Sequence, residues 1–136
     1  MQKLNRKIEY SLMALQYIRT KPAGALTTAK EVSERFQSPF DATARVMQMM
    51  ASRGWLRSEQ GASGGYQLAI DLSNRTMLDL IQLIEGSPSI AKCLKGGEDC
   101  EIHTCNIKTP IHTLNRELSG FYKSLKLNAL LGEVNP

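Results

Sequence analysis

The chain has 136 residues, of which 42% are apolar and 22% charged, with a formal net charge of +4. That composition excludes wholesale disorder and fits one compact domain with an appended helix. No run approaches the roughly 20 apolar residues of a membrane-spanning helix, and no cleavage pattern of small residues follows the first apolar stretch. The expectation is therefore a cytoplasmic protein that makes no use of a membrane. Its mild basicity does not by itself identify a polyanionic partner.

Leu4, Ile8, Leu12, Leu15 and Ile18 step by four and three, the spacing of one helix face. Lys21 to Gly24, with Pro22 inside it, ends that helix. Thr28 followed by Glu31 predicts a capping box for a second, short helix whose buried side is Ala29, Val32 and Phe36. Ser38 is the expected cap of a third helix, with Pro39 at its first position, Asp41 three past the cap and Gly54 beyond its end near Arg53. Two short helices joined by so tight a turn predict a helix-turn-helix.

In the third helix, Thr43, Val46, Met47 and Met50 fall on one side, the expected core. Asp41, Ala44, Arg45 and Gln48 fall on another, as a contiguous polar stripe. Arginine pairs with guanine and glutamine with adenine in a major groove, and alanine meets a thymine methyl. A stripe of this kind also describes any solvated helix face, so it gains weight only from the segment after Gly54.

Trp55 to Ile70 reads as strand, glycine-rich turn and strand, with Tyr66, Leu68 and Ile70 alternating as in a half-buried strand. A hairpin directly after a helix-turn-helix is a wing, and its glycines allow close approach of backbone to a partner. The expected DNA-binding surface is Thr28, Ser38, Pro39, Asp41, Ala42, Ala44, Arg45 and Gln48 from the helix pair. Arg57, Ser63, Gly64, Gly65 and Tyr66 add to it from the wing. Thr76 and Asp79 cap a further helix with Met77, Leu80, Ile81 and Ile84 on its apolar face, ended by Gly86, Ser87 and Pro88.

All three cysteines lie in the next segment, at Cys93, Cys100 and Cys105. In a reducing compartment such clustering points to metal or redox chemistry rather than a structural disulfide. Gaps of six and four residues lack the Cys-x2-Cys pair of zinc ribbons and the short gaps of ferredoxins. They are compatible with an iron–sulfur cluster, with zinc, or with a thiol switch. Candidates for a further ligand near by are His103, His112 and Asp99.

Thr109 as cap and Pro110 at the first position open a last long helix. Its Ile111, Leu114, Leu118, Phe121 and Leu125 form an a/d seam, the expected interface with a second copy. The chain thus divides into a winged helix-turn-helix domain (1–86), a cysteine loop (87–108) and a dimerisation helix with tail (109–136). The fold class is mainly α with one small β-hairpin.

Glu9 and Tyr10 in the first helix, the wing sequence GASGGYQLA, the helix TMLDLIQLIEG, the three-cysteine loop and the terminal helix together resemble one family. It is the IscR/NsrR type of bacterial winged-helix iron–sulfur transcription regulators, and the resemblance spans nearly the whole chain. It implies a homodimer on palindromic promoter double-stranded DNA whose affinity follows the state of a 2Fe–2S or 4Fe–4S cluster. It implies Cys93, Cys100 and Cys105 as cluster ligands. In one branch a histidine follows the third cysteine by three residues, and here Lys108 stands there. In the other a carboxylate on the partner's first helix completes the site, and Glu9 holds the similar place, with His103 as second candidate. The alternatives are a cluster-free regulator using the thiols as a zinc site or switch, and an electron-transfer or cluster-assembly protein. With no nucleophile motif and no phosphate-binding glycine loop, the chain is not expected to be an enzyme.

Overall fold

The computed structural model describes residues 4–86, 90 and 104–132. Helix α1 (Arg6–Arg19) is capped by Asn5, whose side chain accepts from the Lys7 amide. Its buried residues are Ile8, Ser11, Ala14, Leu15 and Ile18. Leu4 is exposed and Leu12 only half-buried, so the inward face is rotated from the leucine stripe toward Ser11 and Ala14. Small side chains let α1 lie close to its neighbours, and the Ser11 hydroxyl is satisfied within the helix by Lys7 O at 2.8 Å.

Helix α2 (Ala29–Phe36) starts at Thr28, whose hydroxyl accepts from the Glu31 amide at 3.0 Å. The reciprocal half of the box is missing, because the Glu31 carboxylate turns to the Tyr17 hydroxyl and Lys21 ammonium. Val32 is fully buried, but Phe36 is 40% exposed and meets the Tyr17 ring edge-on at 5.4 Å rather than entering the core.

Gln37, in a left-handed conformation, turns the chain into α3 (Phe40–Ser52). The N-cap of α3 is Pro39, without a side-chain cap. Ser38 is not the cap. It is buried, and its hydroxyl pairs with Thr43 Oγ1 at 2.7 Å, while Thr43 Oγ1 donates to Pro39 O. The hydroxyl finds a partner inside the turn, so the first amides of α3 stay open. Thr43, Val46, Met47 and Met50 are completely buried, as their spacing requires.

Strands β1 (Leu56–Glu59) and β2 (Gly65–Leu68) pair antiparallel, Leu56 opposite Leu68 and Glu59 opposite Gly65. After a 3-10 turn (Leu72–Asn74), α4 (Met77–Glu85) opens on a complete capping box. The Thr76 hydroxyl accepts from the Asp79 amide at 3.1 Å, and Asp79 accepts from the Thr76 amide at 2.8 Å. Met77, Leu80, Ile81 and Ile84 are buried, with Leu83 beside them.

Helix α5 (Lys108–Ser124) begins after Ile107, so Thr109 and Pro110 lie within its first turn instead of opening it. Proline is tolerated there because those amides have no intrahelical partner. α5 has no buried residue: Leu114 is 49% and Phe121 58% exposed, and Ile111 and Leu118 are half-buried. Leu125, the last seam residue, lies past the helix end and packs against the core.

The chain then returns to the winged body. Met77 N donates to Leu125 O at 2.8 Å and Leu127 N to Arg75 O at 2.9 Å. Short α6 (Leu127–Leu131) drops Leu127 wholly into the core, and Gln16 and Arg19 of α1 hold the Leu131 and Gly132 carbonyls. One core, spanning α1 through β1, α4 and Leu127, therefore positions the helix pair, the hairpin and the foot of α5 together.

Candidate nucleic-acid interface and cysteine segment

The stripe on α3 is presented outward: Asp41, Arg45 and Gln48 are exposed, and Ala44 and its neighbour Ala42 half-exposed. The side that packs is saturated with Thr43, Val46, Met47 and Met50, so the helix has no freedom to roll the stripe inward. Phe40, absent from the sequence-based set, stands 52% exposed at the first position of the same helix.

The wing is tied down beside that stripe. Tyr66 N donates to Thr27 O at 2.8 Å and Thr27 N to Tyr66 O at 2.9 Å. This pairing explains the glycines. A Cβ on Gly65, whose φ is +150°, would lie 3.0 Å from Thr27 O, and one on Gly64 would lie 2.4 Å from Glu59 O. Both glycines let the chain approach itself, a use beside the approach to a partner expected of them.

Between α3 and the wing runs a groove of about 530 Å³, lined among others by Thr28, Gln48, Ser58, Gln60, Gly64 and Tyr66. Ser58, Glu59 and Gln60 also line this groove and are absent from the sequence-based set. Their signal was their place, on the strand end nearest the tip. Arg57 is exposed, but strand alternation puts it on the opposite face from Ser58. Pro39 and Ser63 are exposed. Ser38 is withdrawn from the DNA-facing set by its burial against Thr43.

Behind the helix pair, Tyr17, Lys21 and Glu31 form a charged junction between α1 and α2, with the Lys21 ammonium 5.0 Å from the Tyr17 ring centroid. The hydrogen bond from Lys21 holds the Glu31 carboxyl below its ordinary range, and the hydrogen bond to Glu31 raises the Tyr17 hydroxyl. A depressed carboxyl stabilises the fold above its unfolded-state pKa and loses that contribution as pH falls through the lower folded-state value. Glu31→Gln is thus expected to melt below wild type at neutral pH, with the gap closing in acid. Melting curves from about pH 6 down to about pH 3 check it, and a gap independent of pH would rule out the charge as its origin.

Of the expected metal ligands, Cys105 is a free thiol, half-buried just before α5. Cys93, Cys100, His103 and Asp99 lie outside the described residues. His112 is exposed on α5. Glu9 sits on the outer side of α1, 3.3 Å from Arg6, at the edge of a groove shared with Leu12, Met13, Gln16 and Phe36. Among the described residues no three His, Cys, Asp or Glu side chains converge on a metal position. Among the described residues Cys105 is one thiol placed without a disulfide, and a thiol is the donor an iron–sulfur cluster takes in kind.

A short capped helix, a left-handed turn, a third helix with a polar outer stripe and a hairpin pinned alongside define a winged helix-turn-helix protein. The chain belongs to the Rrf2 family, described as an iron-dependent transcriptional regulator, whose family model matches residues 4–133. It is 26% identical over 132 residues to the HTH-type transcriptional regulator IscR of Vibrio atlanticus, covering 97% of this chain and 74% of that one. It is 23% identical over 121 residues to the transcriptional regulator NsrR of Bacillus licheniformis, covering 88% and 82%. Its fold is similar to that of CymR, the global cysteine regulator of B. subtilis, with a TM-score of 0.72 at 23% identity over 96% of this chain and 97% of that one. The protein is a transcriptional regulator of that family, a role that is not enzymatic. No helix among the described residues is long and apolar enough to cross a membrane.

Proposed function

We propose that the protein is a cytoplasmic homodimer that binds double-stranded promoter DNA through α3 and the wing, under control of an iron–sulfur cluster. The observation that carries the DNA reading is the α3 stripe. Arg45 and Gln48 stand exposed beside the tied wing, while the opposite side of the helix is fully buried. Arg45 and Gln48 read base edges. Thr28 and the wing backbone at Gly64 and Gly65 approach phosphates, and Arg57 adds charge from the outer strand face. The unburied apolar positions of α5, Leu114 and Phe121 above all, favour a second copy as their cover. A two-fold pair would set two recognition helices roughly 34–36 Å apart.

Cys93, Cys100 and Cys105 would hold the cluster, with Glu9 of the partner subunit as the fourth ligand and His103 as its competitor. When bound, such a cluster supplies a group that responds to oxidants, nitric oxide or iron supply. The chain's own part is mechanical. The cysteine segment joins α4 of the winged body to α5, so whatever holds the segment bears on how α5 stands against that body.

The test is protein purified without oxygen, with iron and acid-labile sulfide assayed on the sample whose visible spectrum is taken. Matched iron and sulfide with a brown colour support the cluster. Stoichiometric zinc without sulfide would transfer the reading to the cluster-free thiol or zinc switch on the same fold.

The two arginines separate readout from attraction. Arg45→Ala is expected to lose about 1–3 kcal/mol of discrimination at one base position. Arg57→Ala should weaken binding to all sequences and lower the salt slope by about 1. Competition binding to a site and its single-base variants over a salt series measures both. An unchanged sequence preference in Arg45→Ala would remove that residue from the readout.

A further inference from the structure

A cleft between the end of α3, the root of the wing and the first turns of α4 lies apart from the α3 stripe, the wing tip and the cysteine segment. Trp55 and Leu83, both nearly buried, form its floor. Arg53, Arg75, Asp79 and Gln82 wall it, and its volume is about 280 Å³. The Arg75 guanidinium lies over the indole, 5.8 Å from the ring centroid. A cation–π contact of this kind holds the guanidinium near the ring before any ligand arrives. Arg75 Nε is buried and has no hydrogen-bond partner among the described residues. Among the described residues no carboxylate forms an ion pair with Arg53 or Arg75.

Asp79, the one carboxylate among the described residues of the cleft, is already engaged. It accepts the Thr76 amide at the N-terminus of α4, where the helix end offsets part of its charge. Two guanidinium groups therefore face one occupied carboxylate, and the cleft is net positive. Guanidinium forks match planar and tetrahedral oxyanions, and a partly buried cation without a partner gains most from one.

We propose that this cleft binds a small oxyanion, with Arg75 as the pre-oriented cation, Arg53 as the second and the Gln82 amide as a neutral donor. The oxyanion is either a free anion such as phosphate or a phosphodiester of bound DNA. The proposal stands whether or not the cluster reading holds.

Trp55 is the only tryptophan in the chain, so its fluorescence reports on this cleft directly. The probe is inorganic phosphate, titrated against chloride at constant ionic strength. A saturable change in emission is expected, half complete at a concentration on the order of 1 mM. Arg53→Gln and Arg75→Gln should each raise that concentration about 10-fold or more. Lys30→Gln, which removes an exposed cation of α2 outside the cleft, should leave it unchanged. Arg53 is exposed, so its variant keeps the test valid even where Arg75→Gln disturbs folding; Arg75→Lys serves as the milder change there. No saturable change in wild type, equal half-points in the cleft variants, or loss of the response in Lys30→Gln would each overturn the site. A short duplex of random sequence then identifies the source. Displacement of phosphate by the duplex would mark a DNA phosphodiester as the natural oxyanion, and no effect would mark a free anion.

Discussion

Leu127→Ala is expected to lower folding stability by about 3 kcal/mol, as for other fully buried leucines cut to alanine in a well-packed core. Leu127 has no exposed surface, although it lies 41 positions beyond Gly86 (127 minus 86). It reaches the core because the chain after α5 bonds back to α4, through Met77 N to Leu125 O and Leu127 N to Arg75 O. The variant therefore tests whether the C-terminal segment is part of the winged body's core. Leu130→Ala is the control, since Leu130 is 45% exposed, and it should change stability by no more than about 0.5 kcal/mol. Urea unfolding of both at one fixed protein concentration measures the difference, the concentration being held because association shifts apparent stability. Equal midpoints for the two variants would show that the segment does not seal the core.

The second large effect is all-or-none. Cys105→Ala should leave protein purified without oxygen colourless, without sulfide, yet folded. Cys105 is half-buried and precedes α5 without joining the main core, so its loss removes a thiolate and little packing. Far-ultraviolet dichroism and sedimentation would establish that the variant keeps its helices and its assembly. Visible absorbance with sulfide persisting in Cys105→Ala would sink its assignment as a ligand. Glu9→Gln and His103→Ala decide the remaining position. Faster loss of colour in air for Glu9→Gln, with His103→Ala unchanged, is the expected pattern. The reverse would give the position to His103.

Much of this molecule is written in local pattern. The core side of α3 and the polar stripe opposite it follow from three-and-four spacing, and both stand where that spacing puts them. The Thr76–Asp79 box closes as its residue types require. The hairpin follows from alternation around a glycine-rich turn. These features depend on residues within a few positions of one another, and neighbouring chemistry is enough to specify them.

Other features escaped the sequence because their deciding partners are distant. Glu31 had two uses, the Thr28 amide or the Tyr17–Lys21 pair, and only the placement of α1 against α2 settled on the second. Ser38 could cap α3 or face Thr43, and it took the partner inside the fold. Phe36 has the spacing of a core residue, but Tyr17 occupies the place beside it, so the ring stays at the surface.

By itself, then, the sequence determined the helix pair, the inward faces of α3 and α4, the wing and the family. It could not determine that Gly64 and Gly65 serve the chain's own Thr27 and Glu59, or that Leu125 leaves the seam while Leu127 seals the core. Those were decided by tertiary structure. Periodicity tells which residues share a face, whereas the surface that covers the face is set by packing between segments far apart in the chain.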